Sequence, residues 1–174
     1  MTVSLYQASV PVYERGLTAL LAILDKAASH AAATKVDPSV YVASRLRPDM
    51  LAFARQVQIC CDAAKMSASR LAGLEAPKFE DNEASFDDLK ARIHKTLDYI
   101  KTVPAKDIDA GADREIIFPV GPTNKMKMKG ADYLLHWSMP NFYFHLTTAY
   151  DILRFNGVQI GKTDFMAGTP AKPA

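Results

Sequence analysis

The sequence predicts an all-α protein, a bundle of four helices with one small β-hairpin inserted between the third and the fourth. Three observations carry that prediction. Apolar residues recur every three or four positions along four long stretches. Proline, glycine and Ser/Asp capping residues punctuate those stretches. One short segment alternates β-prone and polar residues instead. The 174 residues are 49% hydrophobic and 23% charged. A chain of this size buries about 70% of its unfolded surface in a single core, and this composition excludes a disordered chain. One domain over residues 1–166 is expected, followed by a disordered tail, 167–174, rich in Ala, Gly, Lys and Pro.

The first helix opens on a capping-box pattern, Ser4 with Gln7, and continues through Leu17, Leu20, Leu21, Leu24 and Ala28 to about His30. Pro11 inside it removes one backbone donor, so it should bend the helix or delay its regular part. Residues 31–47 form a connection, with Asp37-Pro38 as turn chemistry. Pro48 and Asp49 suit the first turn of the second helix. Met50, Phe53, Ala54, Val57, Cys61, Ala64 and Leu71 share one face, and Gly73 is its C-cap. The third helix starts at Ser85 with Asp88. Phe86, Leu89, Ile93, Leu97 and Ile100 make it the cleanest amphipathic pattern in the chain, and Pro104 closes it.

Residues 115–120 and 125–128, on either side of Gly121-Pro122, read as the two strands of a hairpin. Alternating Lys and Met should give one wet and one packed face, with Lys125, Lys127 and Lys129 as a solvated edge. The fourth helix runs from about Gly130 to Phe155 and stops at Asn156-Gly157. Its stripe is read as Leu134, Trp137, Asn141, Phe144, His145, Thr148 and Ile152. Pro140 should kink it, because the carbonyl of His136 loses its usual donor.

Charge and cysteine usage exclude whole classes of function. Lys plus Arg is 21 and Asp plus Glu 19, a net charge of +2, which gives no electrostatic reason to expect nucleic acid. No stretch is long and apolar enough to span a bilayer, and the opening residues lack the basic and apolar regions of a secretory signal. The only cysteines, Cys60 and Cys61, are adjacent and on a helix would point about 100° apart. They cannot form a disulfide framework, and they read as small core residues. The expectation is a cytoplasmic protein with no nucleic-acid or membrane partner.

Helical bundles place ligands between facing helices, so polar residues that interrupt core stripes are the candidates. His145 heads them, with Asn141 four residues before it and Thr148 three after. It is a satisfied core histidine, a ligand-binding or catalytic group, or a metal ligand. Tyr150, with Gln58 and Asp62 from the second helix, would complete a pocket around it. A metal site wants three protein ligands; Ala149, at the i+4 position, has no donor atom, and His136 lies nine positions away. His94 falls off its core stripe, and His30 falls at a helix end. Asp62 with Lys65, and Asp151 with Arg154, read as surface pairs. No Ser/His/Asp signature, phosphate-binding glycine loop or zinc motif is present.

The fourth-helix string Met139-Pro-Asn-Phe-Tyr-Phe-His-Leu-Thr-Thr-Ala-Tyr-Asp-Ile-Leu-Arg154, the string Arg45-Leu-Arg-Pro-Asp-Met50 running on to Ile59, and the opening Ser4 to Pro11 resemble a bacterial family of unknown function. That family falls in the DinB-like (YfiT-like) superfamily of metalloenzymes and related proteins. The resemblance spans about residues 2–166 and implies a bundle that is often dimeric. It also implies a metal triad of one histidine on the second helix and a His-x-x-x-His pair on the last, serving transferases and isomerases that use small thiols. Only His145 matches that triad. The second histidine of the pair falls on Ala149, and the helix-2 position falls near Gln56 to Gln58. The expectation is therefore a homodimer that binds a small molecule or is non-catalytic, with a degenerate metal site and no cofactor. The alternative is a thiol-dependent transferase or related enzyme with a re-formed site around His145. Divalent Ni or Zn remains an option there, with His145 as ligand.

Overall fold

The computed structural model describes residues 3–170. Four long helices form the frame: α1 (Val10–Thr34), α3 (Phe53–Ala72), α4 (Phe86–Thr102) and α7 (Met139–Phe155). Short helices α2 (Pro38–Ala43), α5 (Ala105–Asp109), α6 (Gly130–Tyr133) and α8 (Lys162–Phe165) fill the connections. Strands β1 (Glu115–Val120) and β2 (Asn124–Lys129) form a two-stranded antiparallel ribbon between α4 and α6. Helix α3 is central, packing against both α4 and α7, while α1 closes the other side. The core is built from the predicted stripes: Leu17, Leu20 and Leu24 on α1, Val57, Cys61 and Leu71 on α3, and Leu89, Ile93 and Ile100 on α4 are all buried.

Local chemistry sets most helix ends. Ser85 and Asp88 form a reciprocal capping box at the start of α4, and Gly73 ends α3 in the left-handed conformation, φ +72°. Asp37 caps α2 by accepting from the Ser39 amide. The Ser4–Gln7 box is present, but it closes a separate turn, and α1 becomes regular only at Val10 with Pro11 in its first turn. Pro11 delays the helix because a proline is tolerated only where its missing amide is not needed.

Two helix ends differ from the sequence reading. Helix α1 runs on to Thr34, so His30 lies inside it, packed edge-on against Tyr41 rather than capping the end. Helix α3 starts at Phe53, not Pro48. Pro48 and Asp49 sit in a turn closed by the Met50 amide on the Arg47 carbonyl. The Phe53 amide reaches the Ser44 carbonyl across the loop, a long-range contact that local signals do not encode.

The ribbon pairs Ile116 with Met128 and Phe118 with Met126. Its packed face comes from β1, where Ile116 and Phe118 are buried. On β2 the Lys/Met alternation gives a packed face only at Met128, which is half-buried against the core, while Met126 is 47% exposed. Lys127 pairs with Glu115 and Lys129 with Asp113 in solvent. Two glycines anchor the ribbon's base against α3. A Cβ on Gly130 would fall 2.0 Å from the Gly111 carbonyl oxygen, and one on Gly111 would fall 2.1 Å from the Leu71 carbonyl oxygen. Only glycine permits three backbones to approach so closely.

The last helical run, 130–155, is interrupted where the proline predicts a disturbance. Residues Leu134–Ser138 form a π turn, in which the Met139 amide reaches the Leu134 carbonyl five residues back. The wider turn lies immediately before Pro140, which has no amide to give. It also re-aims the residues that follow. The buried face of α7 is Phe142, His145, Leu146, Thr148, Ala149, Ile152 and Leu153. Phe144, read as part of the stripe, is 58% exposed, and Asn141 is half-buried. Past α7, Val158 and Ile160 pack into the core, and α8 is tied to α1 by a Lys26–Asp164 ion pair at 2.6 Å. Of the tail, 167 and 168 lie in a turn beside Arg15, whose guanidinium reaches Thr169 Oγ1 at 3.4 Å; 171–174 lie outside the described residues.

Candidate functional site between α3 and α7

Helices α3 and α7 run antiparallel, so the start of α3 meets the middle of α7 and its end meets α6. At the first crossing His145 Nδ1 lies 2.7 Å from Gln56 Oε1. The Gln56 amide nitrogen donates to the Leu51 carbonyl at 3.1 Å, which turns its oxygen toward the imidazole. Nδ1 must therefore carry the hydrogen, and Nε2 keeps its lone pair. His145 is only 8% exposed. Burial, and then the positive charge of Arg55, push its pKa down to about 4. It is a neutral imidazole at physiological pH, with no hydrogen bond to Nε2 among the described residues.

The other residues named from sequence separate into four places. Thr148 donates to the Phe144 carbonyl of its own helix, 2.7 Å away. Tyr150 is on a different face, edge-on to Phe165 at 5.8 Å, beside a cavity lined by Thr147, Asp151 and Lys162. It does not join His145. Gln58 and Asp62 belong to a buried ionic cluster. Arg92, with its side chain 1% exposed, donates to Glu83 (2.9 Å), Asp81 (3.0 Å), Asp62 (3.1 Å) and the Glu80 carbonyl (3.0 Å). Gln58 donates to Glu83, and Arg55 bonds both Gln58 and Asp81. Lys65, 2% exposed, pairs with Asp62 at 2.9 Å and sits 4.0 Å from the Phe79 ring centre. The Asp62–Lys65 pair is thus a buried link and not the surface pair its spacing suggests. The cluster clamps the loop 74–84 across α3 and α4.

Asn141 lies in a groove. One cavity, about 190 Å³, is bounded by Asp62, Met66 and Arg70 of α3 and by Tyr133, Trp137, Ser138 and Asn141 opposite. A second, about 320 Å³, adjoins it through Trp137 and Asn141 and is walled by His136, Pro140 and Phe144. The ribbon adds Pro119 to one wall and braces it with Phe118, whose ring lies tilted against Tyr133 at 5.1 Å and Trp137 at 5.0 Å. Below the groove, Tyr13 Oη bonds Ser67 and Ser138, each at 3.0 Å, in a closed buried network.

The chain matches the family model "Domain of unknown function (DUF1993)" over residues 5–166. The chain belongs to the DUF1993 family. It is also similar to a DinB family member protein from Shewanella denitrificans of known crystal structure, with 38% identity and a TM-score of 0.89 over 98% of this chain and 96% of that one. No curated protein matches. The DUF1993 chain therefore has a DinB-like helical fold with a small ribbon, as its sequence strings predict.

The metal triad implied by the superfamily does not fit this DUF1993 chain. Gln56 occupies the position facing His145 and saturates Nδ1, and Ala149 is wholly buried with no donor atom. Among the described residues no three His, Cys, Asp or Glu side chains cluster in a way that would hold a metal. Cys60 and Cys61 are buried, and burial pushes both thiols up, Cys61 to about 12, so neither is a thiolate at neutral pH. His94 is exposed.

Sequence reasoning missed Gln56 as the histidine's partner, Arg92 and Lys65 as buried cations, and Arg70 and Trp137 as groove residues. A signal existed for the first three. Arg92 sits at interior spacing between Leu89 and Thr96, Lys65 is flanked by Ala64 and Ala68, and Gln56 is one position from Val57 on a mostly buried helix. Nothing local marked Arg70.

Proposed function

We propose that this protein binds a small molecule in the α3–α7 groove and does so without a metal triad. The observation that supports this is the contrast along one seam. His145 is tied to Gln56, whereas the Asn141 amide and most of the Arg70 guanidinium face a cavity with no protein partner among the described residues. We further propose a cytoplasmic homodimer, with exposed Phe144 beside the groove as part of its apolar surface. No helix of the described residues is long and apolar enough to cross a membrane. Light scattering that gives twice the chain mass supports the dimer.

The test is a thermal-shift panel of small metabolites on the wild type and on Ala63→Phe, a variant that fills the cavity. Hits on the wild type that vanish in a folded Ala63→Phe support the groove; hits that survive refute it. Elemental analysis reading one Ni, Zn or Fe per chain would sink the metal-free part.

A second reading, catalysis at a re-formed site, rests on the free Nε2 lone pair of His145, which is open to accept a hydrogen bond from a bound molecule. Tyr150 takes no part in it, being on another face. Thiol-transferase activity lost in His145→Ala would favour this reading, and equal rates would count against it.

A further inference from the structure

We infer that the groove recognises a small oxyanion carried on a flat apolar body, with Arg70 as the anion receptor; this rests on the groove being the ligand site. Arg70 is half-buried and donates one Nη to Tyr133 Oη at 2.9 Å. Its guanidinium carbon lies 5.7 Å from the ring centres of both Tyr133 and Phe118. Those contacts hold the guanidinium beside the two rings. No carboxylate among the described residues pairs with it, whereas Arg92 and Lys65, the cations buried between α3 and α4, each have one. A fixed, partly desolvated guanidinium without a counter-ion is a bidentate receptor for a carboxylate or a phosphate.

The rest of the cavity defines the body of the ligand. Trp137 and Tyr133 give a flat aromatic wall, braced from behind by Phe118, and Met66 gives an adaptable floor. Asn141 offers a free amide at the junction with the second cavity. Asp62 lines the same space, but Lys65 and Arg92 already neutralise it, so it does not repel an anion held two turns away at Arg70. The small volume beside Arg70 suits the anionic head, and the adjoining cavity past Trp137 suits the body.

Trp137 is the only tryptophan in the chain, so its fluorescence reports on this groove alone. The probes are phenylacetate, phenyl phosphate and neutral phenylacetamide, titrated into wild type, Arg70→Met and Arg70→Gln. The expected result is a saturable change with phenylacetate or phenyl phosphate at least tenfold tighter than with phenylacetamide, and loss of that preference in Arg70→Met. The tighter of the two anions identifies the head group. Arg70→Gln, which keeps a donor for Tyr133, carries the comparison if Arg70→Met does not fold. Equal binding of the amide, or unchanged preference in both variants, overturns the anion receptor and leaves the groove reading standing. No saturable change with any probe also overturns it, and the Ala63→Phe panel then decides the groove separately.

Discussion

His145 makes the stability of this protein depend on pH in a calculable way. Its pKa is about 4 in the folded chain and about 6.5 in a free histidine. Between those values the unfolded chain binds a proton that the folded chain refuses, so stability rises with pH across the window and is lost as pH falls through it. From pH 7 to pH 5 this residue alone removes about 2 kcal/mol, and from pH 7 to pH 4 about 3 kcal/mol. The dominant cause is burial of the ring, with Arg55 second. The upper window is the useful one, because most carboxylates remain ionised above pH 5. The assay is urea unfolding of the wild type and of His145→Gln at pH 5 and pH 7. Wild type should lose about 2 kcal/mol more than the variant, and nitrogen-detected NMR should find the Nδ1–H tautomer with a titration midpoint near 4. Parallel pH profiles, or a midpoint above 6, would refute the reasoning from burial and charge.

Three further outcomes follow from the packing. Cys60 and Cys61 should be silent to a thiol reagent in the native state at pH 8, and both should react in urea, because burial holds the thiols protonated; native labelling within minutes would contradict this. Arg92→Met strands the buried Glu83 carboxylate without its cation, while Asp62 keeps Lys65 and Asp81 keeps Arg55, so it should cost about 3 kcal/mol. In a chain of this size that is roughly 6–12 °C in Tm by calorimetry. Gly130→Ala drives a Cβ onto a backbone oxygen and should cost ~3 kcal/mol or more, while Gly161→Ala, with nothing nearer than 4.0 Å, should be nearly neutral; similar Tm values for the two would show that the close approach at Gly130 does not exist.

The legible part of this fold was the part written locally. Ser85, Asp88, Gly73 and the stripe from Phe86 to Ile100 decide their helix from neighbours within four residues, and the structure keeps them. The start of α3 was not legible, because the Phe53 amide is claimed by Ser44 across a loop and Pro48 fits a turn as well as a helix. The π turn shows a middle case. Pro140 announces a missing donor, yet whether the chain kinks or widens depends on what the widened turn can pack, here Trp137 against Phe118. The site was legible in one residue, His145, and its partner was not. Gln56 and Gln58 are identical in type and Asp62 is the stronger acceptor, but helix phase turns Gln58 and Asp62 toward the Arg92 cluster and turns Gln56 toward α7.

That division supplies a physical criterion for separating structure from binding in this bundle. Polar groups buried between α3 and its neighbours fall into two sets. Gln58, Asp62, Lys65, Arg92 and Glu83 bond to one another, with the Arg92 Nε–H alone left without a partner among the described residues, and Tyr13, Ser67 and Ser138 close a second network. Networks so nearly closed fix a register and offer a ligand little. Asn141, Arg70 and the Nε2 edge of His145 are the open set, and all three lie on the seam between α3 and the 130–155 helical run. An unsatisfied donor or acceptor in a half-buried groove stays hydrated in the free protein, and a ligand that replaces that water with a better-matched group is bound there. A chain without the metal triad therefore still carries open polar groups along this seam. Gln56 closes one polar end by satisfying the histidine ring on one side, and Arg70 leaves the other end open.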